Sequence, residues 1–135
     1  MGLGEIDAVR ATIDEDEIGD FLPHVRSIIA YNAESKVVET LRMNGVLLSQ
    51  IAPNGGIISG SSSVVQLDAW NWEDAVIRYD QGIHLNWPSP YSRSGYSYYR
   101  GPSVIKKSDK YESNVEEIKN FFDSSKAYLN DPNPN

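Results

Sequence analysis

The chain has 135 residues, enough for one domain of ordinary size. Forty per cent apolar and 23% charged residues are globular proportions. A net charge of −7 and a sequence pI near 4.7 argue against nucleic acid and anionic membrane as partners, since both need a basic face, and the absence of cysteine excludes disulfides, thiolate metal sites and a cysteine nucleophile.

No apolar run approaches the roughly 20 residues of a membrane span. Met1 to Arg10 is acidic and lacks the apolar centre of a signal peptide. The expectation is a soluble protein, cytoplasmic or periplasmic. Residues 1–20 are irregular, and the run Asp14-Glu15-Asp16-Glu17 reads as a solvated loop. From Phe21 to Ala30 the apolar spacing fits a short helical turn or an extended segment equally well.

Asn32 to Asn44 is predicted to be a helix. Asn32 or Ser35 caps it, Val37, Val38 and Leu41 form its apolar stripe, and Asn44-Gly45 supplies a left-handed stop. Val46 to Ala52 reads as a buried strand bounded by Gly45 and Pro53. Asn54 to Ser62 is predicted to be an ordered Gly/Ser loop at the carboxyl end of that strand, anchored by Ile57 and Ile58. Ser63 to Leu67 is a second strand and Asp68 to Asp74 a turn. Ala75 to Tyr79 and Gly82 to Trp87 are two further strands about a hairpin turn at Asp80-Gln81-Gly82. Tyr91 to Lys110 is a Tyr/Ser/Gly excursion. Ser113 to Leu129 is the strongest helix, with Ser113 and Glu116 as a capping box. The fold class is α/β, with two main helices near 33–44 and 113–129 and three to four short strands between 46 and 87. It forms a single domain over 1–130, followed by a disordered tail at 131–135.

Candidate chemistry is sparse. The two histidines, His24 and His84, are far apart in sequence, and no His-x-His or Glu-x-x-His pair accompanies them. Ser59, Ser61, Ser62 and Ser63 make no Gly-x-Ser-x-Gly elbow, and Gly55-Gly56…Gly60 lacks the lysine of a phosphate loop. These glycines serve either a tight turn or an anion nest of backbone N–H groups. Tyr91, Arg93, Tyr96, Tyr98, Tyr99 and Arg100 suit stacking on a sugar or planar ligand, or contact with a partner. No catalytic residue and no metal ligand is assigned.

Gly55, Gly56, Ile58, Ser59, Gly60, Ser62, Val64, Val65, Leu67 and Asp68 together resemble the Gly-Gly-x-Ile-Ser-Gly-x-Ser-x-Val-Val-x-Leu-Asp signature of amidohydrolases related to imidazolonepropionase. Met43-Asn44-Gly45-Val46 resembles the family's Gly-Val-Thr-Thr region, with Leu47 and Leu48 in place of the threonines. Gly82 to Pro88 resembles the segment before a later barrel helix, and Gly2-Leu3-Gly4 the residues after the family's metal-binding His-x-His. The resemblance implies a partial (β/α) barrel fragment of a metal-dependent hydrolase of C–N bonds, inactive alone. A divalent, zinc-like metal is implied for the full-length parent, with none held by this chain. It implies that the Gly/Ser stretch borders a ligand site, giving Gly55, Gly56, Ser59, Gly60, Ser62, His84 and Trp87 as ligand-binding candidates. An incomplete barrel leaves apolar surface uncovered, so a second copy or the rest of the barrel is the expected partner. The competing readings are a small-ligand or glycan-binding module and an interaction domain that completes a partner chain.

Overall fold

The computed structural model describes residues 2–6, 8–94 and 104–131. Tyr96, Tyr98, Tyr99, Arg100 and most of the expected tail lie outside them. The chain folds as two compact units, 1–86 and 87–135.

In the first unit a short 3-10 turn at Ser27–Ala30 resolves the ambiguous segment and buries Ser27 and Ile28. Helix α1 follows at Lys36–Met43. Ser35 caps it, its Oγ accepting from the N–H groups of Val37 and Val38 at 3.2 and 3.5 Å. Gly45, at φ 86°, ends it as expected.

Three strands follow, β1 at Leu48–Ile51, β2 at Ile58–Gln66 and β3 at Val76–Leu85, with the single-turn helix α2 at Trp72–Ala75 leading into β3. They form one antiparallel sheet in the order β1-β2-β3. A (β/α) barrel is parallel, so among the described residues the barrel array expected from the sequence is not present. The connections explain why. Residues 52–57 and 67–75 are shorter than the dozen or more residues a parallel crossover needs, so each strand turns back beside its predecessor.

The core lies on one face of this sheet, where Ile51, Val65 and Leu67 meet Ile28, Tyr31 and Val38, with Leu3 and Ala75 closing it. Each such aliphatic side chain contributes about 1.5–3 kcal/mol by burial.

Two strand assignments change. The predicted loop over 58–62 is strand, because β3 and the segment 21–26 bond to it from either side. The predicted hairpin at Asp80-Gln81-Gly82 is a bulge within one continuous β3: Ser62 pairs with Gly82 and Val64 with Arg78, so the extra residues are accommodated on β3. Asp80 nonetheless keeps a turn-like conformation within the bulge, at φ 45°.

In the second unit β4 (Tyr91–Ser94) and β5 (Val104–Lys107) pair antiparallel. The long excursion is thus partly strand. Helix α3 runs from Tyr111 to Leu129. It starts before the predicted capping box: Lys110 is the cap residue, and Ser113 Oγ donates to the Lys110 carbonyl at 3.0 Å. Of its predicted stripe Ile118 is buried, while Phe122, Tyr128 and Leu129 stay exposed. No helix among the described residues is long and apolar enough to cross a membrane.

Candidate functional site

Pro53 cannot donate to the ladder, so β1 ends before it, and Gly55 and Gly56 turn the chain with φ of 81° and 57°. The acidic N-terminal segment lies along this turn. The Asn54 N–H donates to the Glu15 carbonyl at 2.6 Å, and the Ile57 and Ile58 N–H groups to the Asp20 carbonyl at 2.8 Å. Close approach explains the glycines: a Cβ on Gly56 would stand 2.7 Å from the Gly19 carbonyl oxygen, and one on Gly60 2.5 Å from that of Val25. Gly60 also sits at φ 126°.

β2 then buries four hydroxyls, those of Ser59, Ser61, Ser62 and Ser63, and each finds partners within the first unit. Ser59 Oγ donates to the Gly55 carbonyl at 2.6 Å. Ser61 Oγ donates to Asp80 Oδ1 at 2.9 Å. Ser62 Oγ donates to the Gly82 carbonyl at 3.3 Å and accepts from Gln50 Nε2 at 2.8 Å. Ser63 Oγ accepts from the Asp80 N–H at 3.1 Å. Buried hydroxyls would otherwise be costly, and here both sides of the strand satisfy them.

Two residues outside the site candidates of the sequence lock this belt, one of them Asp80 of the predicted turn. Asn86 Nδ2 reaches the Gly55 and Gly56 carbonyls at 3.2 and 3.1 Å and Ser59 Oγ at 2.8 Å. Asp80 accepts both oxygens' worth of bonds from Arg26 Nε, at 3.1 and 3.0 Å, and pairs with Arg26 Nη2 at 2.8 Å. The Arg26 guanidinium also stands 5.6 Å from the Tyr79 ring centroid. The hydrogen bond from Arg26 holds the Asp80 carboxyl below its ordinary 3.8, against a smaller opposing effect of burial and with help from Ser61. Asp80 raises Arg26 in return. An ionised carboxylate so fully bonded is a weak proton acceptor for chemistry, and Ser61 has no histidine beside it to activate it. The signal in the sequence was the Asp-Gln-Gly turn together with the serine run. Arg26 had none, because only the tertiary fold brings it 54 positions along the chain to Asp80.

The structure thus brings Gly55, Gly56, Ser59, Gly60 and Ser62 together along the central strand and the turn that leads into it. His84 stands opposite Gly60 in β3, half-buried. Trp87 belongs to the second unit and is exposed. His24 lines a cleft of about 320 Å3 beside the acidic run 14–17. Among the described residues no three histidines or carboxylates are placed to hold a metal ion. The metal that the resemblance implies belongs to the full-length parent, and none of its ligands is assigned among these residues.

No protein-family model and no curated protein match the sequence. The fold is similar to part of a solved structure, an amidohydrolase from Thermotoga maritima MSB8, at a TM-score of 0.61 and 21% identity, covering 66% of this chain. The chain spans 24% of the length of that structure. At this identity the likeness is one of fold.

Proposed function

We propose that this chain supplies part of a metal-dependent amidohydrolase that cleaves C–N bonds in the manner of imidazolonepropionase, and that it is inactive alone. The fold likeness to part of an amidohydrolase carries this reading. The signature residues support it, because they form the most continuously buried strand of the chain rather than a surface linker. In this reading the Gly55-Gly56 turn and β2 are a rigid wall beside the substrate. Gly55, Gly56, Ser59, Gly60 and Ser62 set its shape and His84 is the side chain that the first unit offers to ligand, while Trp87, in the second unit, is a separate candidate. In this reading the divalent metal belongs to the full-length parent, and none of its ligands is in this chain.

The partner is the remainder of that barrel or a second copy of the chain. Ile77, Tyr79, Ile83 and Leu85 on β3 are all exposed, which also favours the second reading of an interaction domain that completes another chain. One experiment separates them. The chain is assayed with zinc on a cyclic amide such as imidazolone propionate, beside the same coding sequence extended in frame to include a His-x-His pair. The amidohydrolase reading expects no turnover by the former, and turnover with stoichiometric zinc by the latter. An extended protein that binds no metal and hydrolyses no cyclic amide removes it.

A further inference from the structure

We propose that the turn carrying Trp70 is a carbohydrate-binding platform, a site independent of the amidohydrolase reading. Trp70 keeps 89% of its surface open to solvent, more than either of the other tryptophans. A single exposed apolar side chain is ordinary on a protein surface, but an indole carries a large apolar face with one polar handle, and here it stands beside a paired donor and acceptor.

The turn beneath it is rigid. Leu67 and Ala75 are buried at its two ends. The Leu67 N–H donates to the Leu47 carbonyl at 2.9 Å, and Gln66 Nε2 to the Asp74 carbonyl at 3.0 Å. Within the turn the Trp70 N–H donates to Asp74 Oδ2 at 3.1 Å, and Asn71 caps α2 by accepting from the Asp74 N–H at 2.8 Å. The backbone that presents the ring is thus ordered before any ligand arrives, which lowers the cost of binding.

Polar groups of both kinds surround the ring. Trp70 lines two open clefts, of about 270 and 510 Å3, which share Arg42 and Ala69. Arg42 Nη1 donates to Asp68 Oδ1 at 2.6 Å, and the Asp68 side chain remains 83% exposed. The pair leaves further guanidinium N–H donors beside free carboxylate lone pairs. Adjacent donor and acceptor match neighbouring sugar hydroxyls, each of which gives and takes a hydrogen bond, while the C–H face of a pyranose lies flat on an indole. An organic cation would also stack on Trp70, and Asp68 and Asp74 stand beside Arg42 in the second cleft, so a choline arm of the test separates the two ligand classes. The donor and acceptor paired beside the ring make a pyranose the ligand class proposed.

The test is a titration of the 15N-labelled full chain, followed by NMR, with methyl β-glucopyranoside, cellotriose and choline chloride. The expected result is a saturable shift of the Trp70 indole N–H and the Asp68 amide with the glucoside and, more tightly, with cellotriose. Trp70→Ala is expected to remove the Asp68 amide shift with the thermal midpoint unchanged, because the side chain is almost wholly exposed. Trp70→Phe, which keeps a ring, retains weakened binding. Asp68→Asn weakens it about tenfold, the loss of one charge-assisted hydrogen bond. Shifts with choline alone, no response to either saccharide, or saccharide shifts that survive Trp70→Ala each overturn the proposal.

Discussion

β2 and β3 are neighbours in one sheet and invert the usual distribution of polarity. β2 carries serines at 59, 61, 62 and 63 and is buried along nearly its whole length, whereas β3 carries Ile77, Tyr79, Ile83 and Leu85 and leaves them exposed. Burial here follows place in the sheet. β2 has neighbours on both edges, β3 on one side and β1 with the segment 21–26 on the other, while β3 is an edge. A central strand can carry hydroxyls if every one is bonded, and an edge strand can carry apolar side chains if something is to cover them.

The comparison breaks most sharply at Gly60. Gly60→Val puts a Cβ into the Val25 carbonyl at a φ that valine avoids, so a loss of about 3 kcal/mol or more is expected, read by thermal or urea unfolding. Wild-type stability in that variant would mean that the segment 21–26 does not lie against β2. Ser62→Ala comes next. It removes a fully buried hydroxyl that bonds Gln50 Nε2 and the Gly82 carbonyl, and because exposed Gln50 can turn to water a loss of about 1 kcal/mol is expected in the same measurement.

The Arg26–Asp80 pair gives a smaller and pH-dependent effect. The folded-state carboxyl is held below its ordinary 3.8, so its contribution is present above that value and is lost as the pH falls through the folded-state value. Asp80→Asn keeps a residue that tolerates φ 45° but removes the charge. The variant should be less stable than wild type at neutral pH, and the difference should close at acid pH below 3.8. A difference unchanged across that range would assign the effect to the bulge rather than to the charge. Smallest of all is Ile83→Thr on the exposed row of β3, expected to change the stability of the isolated chain by less than about 0.5 kcal/mol. The same substitution should weaken any self-association seen by sedimentation. A large destabilisation without change in association would show that this row is already covered within the chain.

Local signals were readable where a structure depends on adjacent residues. Ser35 as a cap, Gly45 as a stop, Pro53 as a strand end and the turn character of Asp80 follow from the hydrogen-bonding and steric habits of single residues, and the sequence by itself determined them. The run Gly55 to Ser63 shows the limit. Its composition says turn or loop, and the first two glycines do turn, yet from Ile58 onward the same residues are a strand. Only the tertiary structure decided this, because the partners are distant: Val25, Asp80 and Gly82 accept the serine hydroxyls or donate to them across 17 to 36 positions. The same reason governs the sheet's direction and the Arg26–Asp80 pair. Apolar periodicity marks a strand's faces but carries no information on which strand lies beside it, and the Trp70 turn could be recognised as a platform only once the fold had left that indole outside.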